Sequence, residues 1–248
     1  MRAIASAWLA AVGLLTCACV APPTAGDRDH RFGPESPASA AVGGVLAGGG
    51  RTLAKWTQVT AAAREAVVRV RTRLCDGLAT GSGFAITPRS VLTNAHVVRG
   101  GNIVTIDTTD GVEIPVASVD ILRGEDLAVV HTAQDVPATV RLSSEDAVPG
   151  DRVEAMGFPL GRKLAVAAGR VVDYAAGGQY GEPGRVLRSS VEIRPGNSGG
   201  PLLDARGQVL GVTTAIDLES GSAIVIPAGE AQQKLSTAPR RAALVPCR

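Results

Sequence analysis

The residues with the clearest capacity for chemistry lie in the stretch RPGNSGGP, which runs from Arg194 to Pro201 and contains Ser198. Glycines and prolines at this density are also what a tight turn needs, because they supply positive or fixed φ angles where a chain reverses. A serine hydroxyl is a weak nucleophile until a neighbouring base takes its proton. The stretch therefore predicts nucleophilic chemistry only if a histidine and a carboxylate come from elsewhere in the chain.

Histidine is the side chain most often used as such a base, and the sequence contains three. His30 lies in a Pro- and Gly-rich segment, and His131 lies in the strand-like run LAVVHT, where surface or packing roles are usual. His96 lies in LTNAHVV, where an apolar run breaks into a turn from which a side chain can face a cleft. We therefore select His96, although a lone histidine at such a position more often serves packing than catalysis.

Asp126 opens the apolar run DLAVVH and is the candidate carboxylate. A carboxylate at such a boundary commonly caps a turn or meets solvent. With His96 and Ser198 it completes a set in which the serine attacks a carbonyl, the histidine accepts the proton, and the aspartate fixes the imidazole tautomer. We expect the backbone N–H groups of Gly196 and Ser198 to form the oxyanion hole, because glycine leaves such groups uncovered.

These residues have to be positioned by short β-type runs, which are separated by Gly, Pro, Asp and Asn turns. The runs are AVVRVRTR, GSGFAIT, SVLTNA, NIVTIDT, VEIPVASVD, LAVVHT, RVEAMGF, AVAAGRVVDY, RVLRSSVEIR, QVLGVTTAID and SAIVIPA. Their number and length predict an all-β fold, either two Greek-key barrels or a large sandwich. Apolar residues at helical spacing in LAKWTQVTAAAREA and AGEAQQKLSTA predict one short helix before the strands and one after them.

Several of these segments also carry a family resemblance. In order, GSGFAIT, VLTNAHVV, DLAVV, PGNSGGPLLDARGQVLGV and AIVIP resemble the trypsin-like serine proteases of the bacterial HtrA type, especially the exported acid-resistance (MarP) type. The resemblance extends from about Ala66 to Ile226. It implies a chymotrypsin/trypsin-like double Greek-key β-barrel with short N- and C-terminal helices, and peptide-bond hydrolysis. We expect no PDZ module, since no sequence follows Arg248 to form one.

The resemblance also implies where a substrate side chain binds. The predicted pocket residues come from the segment before the serine loop and from two later strands; they are Glu192, Ile193, Thr214, Ala215 and Ile224. Ile193, Ala215 and Ile224 favour a small or medium apolar side chain at the cleavage site. Glu192 leaves an alternative open, because a carboxylate in the pocket would select Lys or Arg, whereas strand alternation would turn it outward.

The N-terminal region predicts export. Residues 1–20 carry Arg2 and then an almost unbroken apolar run, which is typical of a secretory signal peptide. A retained membrane anchor and a lipoprotein signal with a lipid on Cys17 or Cys19 remain alternatives, because LLTC resembles the lipoprotein pattern. Residues 21–52 have no apolar period and many Gly, Pro and Ala, so we expect a flexible tether. Residues 53–248 would then form the protease domain.

Two cysteines remain beyond the N-terminal region, Cys75 and Cys247. In an oxidising compartment they are expected to form a disulfide, and the family resemblance implies the same bridge. The alternative is two unrelated thiols. A disulfide would connect the C-terminal tail to the region of the first strand.

Charge and composition point away from several kinds of partner. The net charge of +2 arises from mixed acids and bases without a long basic block, so we expect neither nucleic-acid binding nor a polybasic membrane patch. We expect no metal and no cofactor, a polypeptide substrate, membrane contact only through the N-terminal segment or a lipid, and a monomer.

The sequence thus predicts an exported serine endopeptidase that acts through an acyl-enzyme in envelope protein processing, quality control or stress response. The alternative is a catalytically latent, protease-like binding or scaffold protein of the cell envelope. A pseudoenzyme would usually have lost one of the reactive residues, and this chain retains His96, Asp126, Ser198 and Gly196. An esterase with the same triad is chemically allowed but has no support from the resemblance.

Overall fold

The computed structural model describes residues 61–237 and 240–242 of the chain. Its strands and helices, in chain order, are β1 (Val67–Arg73), β2 (Leu78–Thr87), β3 (Ser90–Thr93), α1 (Ala95–Val98), β4 (Ile103–Asp107), β5 (Glu113–Ile114), β6 (Val116–Ile121), β7 (Ala128–Thr132), β8 (Arg152–Gly157), β9 (Ala165–Ala176), β10 (Arg185–Ser189), β11 (Pro201–Leu203), β12 (Val209–Ile216), β13 (Ala223–Pro227), α2 (Ala228–Leu235) and β14 (Arg240–Arg241). Single 3₁₀ turns lie at Pro159–Gly161 and Gly177–Tyr180.

The N-terminal half of the described chain and the C-terminal strand β14 form an eight-stranded antiparallel sheet in the order β14-β6-β7-β3-β2-β1-β4-β5. Side-chain alternation explains its inner face, because successive residues of a strand point to opposite sides. Val68 and Val70 of β1 pack with Ile106 of β4 and Val130 of β7 in a buried apolar cluster. The sheet therefore encloses a core of its own.

The C-terminal half forms a closed six-stranded barrel in the order β10-β13-β12-β11-β8-β9. Val153, Leu187, Leu202 and Val225 from four of these strands fill its interior. Closure leaves no free strand edge, and the C-terminal helix α2 follows the last barrel strand. The expected all-β double barrel is confirmed, and the large sandwich is not the fold.

A third apolar cluster joins the two barrels. It includes Phe84 and Leu92 from the first sheet and Met156, Leu203 and Ile226 from the second barrel. Each of these five side chains is essentially inaccessible to solvent. The loops at the ends of β3, β7, β10 and β12 are therefore held by one continuous core, and these loops carry the candidate site.

Two predicted elements differ from the structure. The run RVLRSSVEIR was expected to be a single strand, but β10 ends at Ser189, where the pairing with β9 shifts register. The residues after Ser189 leave the barrel to form the loop before Ser198. The short strand β11 was not predicted, because its three residues directly follow the glycine turn and carry no alternation of their own.

The ends of the chain are only partly described. Residues 61–64 are helical and residues 65–66 form a turn, where the predicted N-terminal helix ends earlier than expected. Residues 53–60 of that helix lie outside the described residues, as do the predicted signal segment (1–20) and tether (21–52). The predicted C-terminal helix is confirmed as α2. None of the described helices is long and apolar enough to cross a bilayer.

Candidate active site

His96 lies on the one-turn helix α1, directly after β3. Its neighbours Ala95, Val97 and Val98 are buried, whereas the His96 side chain retains 47% of its exposure. The helix start is attached to the loop before β7, since Asn94 Nδ2 and Ala95 N both donate to the Asp126 carbonyl oxygen, at 2.8 and 3.1 Å. Local packing thus leaves the imidazole as the accessible side chain of this turn.

Asp126 is held against His96 through its carboxylate. Oδ1 accepts the backbone N–H of His96 at 2.8 Å, and Oδ2 is hydrogen-bonded to the imidazole Nδ1. An ionised carboxylate can only accept, so Nδ1 carries the proton in this contact. In a neutral ring, Nε2 is then left with its lone pair available as a base.

Ser198 follows the turn formed by Gly196 and Asn197. Its Oγ donates to the Thr214 carbonyl oxygen at 3.2 Å, and this is the hydroxyl's hydrogen bond in the structure. The predicted His96–Asp126 pair is therefore assembled, while the Ser198 hydroxyl is turned toward β12. A change of the Ser198 χ1 rotamer is the movement that would release it from Thr214.

The backbone N–H groups around Ser198 fall into two sets. Those of Asn197, Gly199 and Gly200 donate to the carbonyl oxygens of Arg194, Thr213 and Asn197, respectively. Within the described part of the chain, the N–H groups of Gly196 and Ser198 have no protein acceptor. Buried or half-buried N–H groups without a partner are uncommon, so this pair marks a place where an anion could be stabilised.

Glycine is required at two positions of this turn. Gly196 has a φ of +100°, and a Cβ there would lie 2.4 Å from the Phe158 carbonyl oxygen. Gly199 has a φ of +86°, and its Cβ would lie 2.1 Å from the Ser82 carbonyl oxygen. Both the positive φ angle and the close backbone approach therefore exclude larger residues.

Ser82 on β2 connects the first sheet to this turn through its hydroxyl and its backbone N–H. Its Oγ donates to the Gly196 carbonyl oxygen at 2.6 Å and accepts the Phe158 N–H at 2.9 Å. Its backbone N–H donates to the Ser198 carbonyl oxygen at 2.7 Å, and its own carbonyl accepts from Thr93 Oγ1 at 2.6 Å. Ser82 is fully buried, so the conformation of the serine turn is fixed from the opposite barrel.

An open cleft of about 910 Å³ adjoins His96 and Asp126. It is lined from both barrels by His96, Arg99, Ile121, Leu122, Arg123, Gly124, Glu125, Asp126, Tyr180, Gly181, Glu182, Pro183, Thr214 and Ala215. Two predicted pocket residues, Thr214 and Ala215, line this cleft. Its volume and its open form leave room for a peptide segment.

Two of the acidic residues that line this cleft are buried, Glu125 and Glu182. Burial raises the pKa of Glu182; a hydrogen bond from Thr214 opposes the rise, and the Asp126 charge adds to it. Burial also raises the pKa of Glu125, against the opposing effect of Lys234, whose Nζ lies 3.6 Å from Glu125 Oε1. Burial thus favours the neutral form of both acids in this part of the cleft.

The remaining predicted pocket residues lie elsewhere. Ile224 is fully buried and Ile193 is 7% exposed. Neither is among the residues that line this cleft, and their part in a specificity pocket stays a prediction. The Glu192 side chain is 80% exposed and pairs with Arg194 at 3.2 Å. Glu192 also borders a smaller hollow of about 200 Å³ on the other side of the serine turn, together with Asn197.

Two other sequence expectations concern cysteine and metal. Cys75 lies between β1 and β2, but Cys247 lies outside the described residues, so the Cys75–Cys247 disulfide stays a prediction. Among residues 61–237 and 240–242, no group of three or more His, Cys, Asp or Glu side chains is arranged to hold a metal ion. His131 is engaged with Asp120 at 3.0 Å, away from the site.

No functional role was predicted for Glu182 or for Ser82, which lies in the strand-like run GSGFAIT. Glu182 follows a glycine and precedes a proline, which indicates a turn but not a buried carboxyl. Ser82 is one small polar residue in an apolar strand, where an unexplained hydroxyl was the available signal. The side-chain contacts of both residues cross more than 30 positions of sequence, so no local pattern could identify their partners.

The chain is similar to known proteins over the region that carries this site. Residues 81–212 match the family model of the trypsin-like peptidase domain. The serine protease Rv3671c of Mycobacterium tuberculosis is 35% identical over 190 residues, which is 72% of this chain and 47% of that protein. A probable periplasmic DegP-like serine endoprotease of Halomonas elongata is 34% identical over 145 residues, covering 57% of this chain and 30% of the relative.

A solved structure gives the same relationship in three dimensions. The active form of the Rv3671c protease from M. tuberculosis aligns with a TM-score of 0.65 at 30% identity, covering 72% of this chain and 82% of that chain. The chain spans about half the length of the full Rv3671c protein.

Proposed function

Because the chain belongs to the trypsin-like peptidase family, we propose that it is a serine endopeptidase with Ser198 as nucleophile, His96 as general base and Asp126 as the residue that orients the imidazole. The predicted relationship to HtrA- and MarP-type proteases is confirmed by the named relatives. The individual catalytic roles are proposals, and their support is the geometry around His96 and Ser198.

In the proposed acylation step, Ser198 Oγ leaves the Thr214 carbonyl and forms a bond to the substrate carbonyl carbon. Its proton passes to His96 Nε2, and the carbonyl π electrons move to the oxygen. Asp126 stabilises the imidazolium through the Nδ1 hydrogen bond. When the tetrahedral intermediate collapses, the C–N bond breaks and His96 returns the proton to the leaving amine.

Deacylation repeats the sequence with water as the nucleophile. His96 Nε2 takes a proton from the water, the hydroxyl adds to the ester carbonyl, and the Ser198 oxygen leaves with the proton. The observation that carries the proposal is the pair of unpartnered N–H groups on Gly196 and Ser198, in a turn whose neighbouring N–H groups are bonded. Two such donors supply what the oxyanion needs in both steps.

The proposed substrates are polypeptides, bound in the cleft that Thr214 and Ala215 line beside His96. Export is supported by the signal-like N-terminal sequence and by relatives named as periplasmic. A role in envelope protein processing, quality control or stress response follows from this location. The proposal includes a Cys75–Cys247 disulfide, which mass mapping of the oxidised protein would test.

One observation favours a second candidate, a latent protease-like scaffold. The Ser198 hydroxyl donates to the Thr214 carbonyl oxygen. In this rotamer the hydroxyl proton is not directed toward His96. A protein in which this rotamer is permanent would keep the site but not turn over. The two candidates differ in whether folded protein reacts with an electrophile at Ser198.

A fluorophosphonate probe tests this directly between pH 5 and 8. The wild-type protein should be labelled at Ser198, and Ser198→Ala and His96→Ala should not react while retaining the wild-type melting profile. Peptide hydrolysis by Ser198→Ala should fall by about 10⁴ to 10⁶. Equal labelling of wild type and Ser198→Ala would refute the assignment, and a folded wild type that never labels would favour the scaffold.

A further inference from the structure

Glu182 is a buried acid whose carboxyl group contacts the Asp126 backbone and the Thr214 hydroxyl. Its residue exposure is 4%, and its place is fixed by a compact turn in which Glu182 N donates to the Gly177 carbonyl at 3.0 Å and Gly177 N donates to the Gly184 carbonyl at 2.8 Å. One carboxyl oxygen, Oε2, accepts the Asp126 backbone N–H at 3.4 Å. The other, Oε1, lies 3.1 Å from Thr214 Oγ1.

The Thr214 hydroxyl lies between two carboxyl groups. It is 3.1 Å from Glu182 Oε1 and 3.3 Å from Asp126 Oδ2. A hydroxyl has one proton to donate, so it cannot donate to both carboxylates at once. With both acids ionised, the two carboxylates would have to share that one proton in a bifurcated contact; two full hydrogen bonds form when one acid is protonated and donates to the hydroxyl oxygen.

The surrounding donors show which acid that is. The Asp126 carboxylate accepts from the His96 backbone N–H and from the His96 ring, which is the pattern of an ionised group. Glu182 Oε2 accepts one long backbone hydrogen bond, and no cation pairs with Glu182 among the described residues. An extra proton would therefore reside on Glu182 Oε1 and be donated to Thr214 Oγ1, and Thr214 would in turn donate to Asp126.

We propose that Glu182 is a neutral carboxylic acid that orients the Thr214 hydroxyl toward Asp126, and that it is thereby a positioning residue for the His96–Asp126 pair. This inference rests on the catalytic role proposed above for that pair. Glu182 touches neither the reacting atoms nor His96 in the contacts of the structure. Its effect on turnover would pass through the orientation of the Asp126 carboxylate.

The charged neighbours are consistent with a neutral Glu182. Burial and the Asp126 charge raise its pKa, although the Thr214 contact acts in the opposite direction. The titratable and charged groups that line the cleft with it or pack around its turn are Asp126, Glu125, His96, Arg99, Arg123, Tyr180, Arg185, Glu230 and Lys234. Lys234 is paired with Glu125 and Arg185 with Glu230, so neither of these cations neutralises Glu182 directly.

Two substitutions separate orientation from mere packing. Glu182→Gln imitates the neutral acid, because its NH₂ can donate to Thr214 Oγ1 while its carbonyl accepts the Asp126 N–H. Glu182→Ala removes both interactions. Glu182→Gln should keep kcat close to the wild-type value, and Glu182→Ala should lower kcat by about 10- to 100-fold with little change in KM.

Glu230→Gln is the matched control. It removes a carboxyl from α2 that pairs with Arg185, at the same end of the molecule but without contact to Thr214 or Asp126. Its kcat and KM should remain at wild-type values. If Glu182→Ala fails to fold, the Gln variant still tests the proposal. A tenfold or greater loss of kcat in folded Glu182→Gln would overturn the proposal that Glu182 is a neutral hydrogen-bond donor.

An infrared difference spectrum between wild type and Glu182→Gln at neutral pH measures directly whether the Glu182 carboxyl group is protonated. The wild type should show the C=O stretch of a protonated carboxylic acid that the variant lacks; a carboxylate signal in its place would overturn the proposal. Wild-type kinetics in folded Glu182→Ala would also overturn it. Failure of the wild type to label at Ser198 would instead refute the proposed function, so the two failures are distinguishable.

Discussion

Leu160 donates its backbone N–H to the Pro195 carbonyl oxygen at 2.7 Å, across the gap between the 3₁₀ turn after β8 and the serine turn. Leu160 has φ 55° and ψ 26°, and it is the one non-glycine residue with positive φ in the described ranges. The C=O and N–H of a trans peptide point in opposite directions. The contact therefore aims the Gly196 N–H away from Leu160 and leaves it free of protein acceptors.

Replacement of Leu160 by proline should damage catalysis through this contact. Proline has no N–H and cannot adopt positive φ, so the Pro195–Gly196 peptide would lose its anchor. If the Gly196 N–H serves the oxyanion, kcat should fall by about 10²- to 10³-fold while KM changes little. Steady-state kinetics on a peptide substrate measure both quantities.

Leu160→Gly is the control, because glycine keeps the N–H and tolerates positive φ. The Leu160 side chain is 57% exposed, so its loss should leave stability and kcat near the wild-type values. Equal kcat for the Pro and Gly variants would show that the Leu160 hydrogen bond does not control the oxyanion donors.

Ser82→Ala should weaken both the fold and the catalytic turn. The substitution leaves the Gly196 carbonyl and the Phe158 N–H without the hydroxyl that bonds both in a fully buried site. Leaving buried polar groups unsatisfied costs about 1–3 kcal/mol, which denaturant unfolding would detect. Because Gly196 is one of the two groups, kcat should fall as well.

The matched control for Ser82 is Ser190→Ala, which removes an exposed hydroxyl that bonds Arg170 N at 3.0 Å. It should change the free energy of unfolding by no more than about 0.5 kcal/mol. A Ser82→Ala protein as stable and active as Ser190→Ala would mean that the serine turn keeps its conformation without Ser82.

The sequence predicted the barrel strands and the candidate catalytic residues because both leave local signals. Apolar runs between turn residues predicted β1 through β4 to within a few residues, and the breaks in those runs indicated His96 and Asp126. The strand containing Glu192 was extended too far, because the register shift at Ser189 depends on a partner strand. A register shift of that kind cannot be predicted from the sequence of either strand alone.

The orientation of individual side chains was the part that could not be predicted. The Ser198 hydroxyl bonds Thr214 O because β12 passes behind the serine turn, and that proximity is a property of the closed barrel. Burial of Glu182 likewise depends on three separate segments meeting around Thr214. A residue-level pattern can indicate a nucleophile, but it does not give the rotamer or the protonation state of its neighbours.

A double-mutant cycle between Thr214 and Glu182 should show strong coupling. Thr214→Val removes the hydroxyl and nearly preserves shape, so Asp126 loses a donor and Glu182 loses its acceptor at 3.1 Å. Once that hydroxyl is gone, Glu182→Ala should have a much smaller effect on kcat than it has in the wild type. Expected coupling energies for such neighbours are about 0.5–3 kcal/mol.

Thr214→Ser is the control for this cycle, because it retains the hydroxyl and should retain the full effect of Glu182→Ala. The Thr214 carbonyl that bonds Ser198 is a backbone group and is present in all variants. Strictly additive effects of Thr214→Val and Glu182→Ala on kcat would show that the two side chains act independently.

The raised pKa of Glu182 also predicts how stability depends on pH. Burial is the main cause of the rise above the ordinary value of 4.5. Below that value Glu182 is protonated in both the folded and the unfolded state, so the stability that the neutral acid contributes is fully present. As pH increases toward the raised folded-state pKa, only the unfolded chain releases the proton, and unfolding becomes more favourable. The stabilising contribution of the neutral acid is therefore lost as pH rises.

Glu182→Gln has no such proton to lose, so it isolates this effect from those of the other acids. The melting temperature of the Gln variant minus that of the wild type should be smallest at or below pH 4.5, increase as pH rises, and level off above the folded-state pKa. Thermal melts across this range in buffers of equal ionic strength measure the difference. A difference that stays constant with pH, or that shrinks as pH rises, would mean that burial does not hold Glu182 in its neutral form.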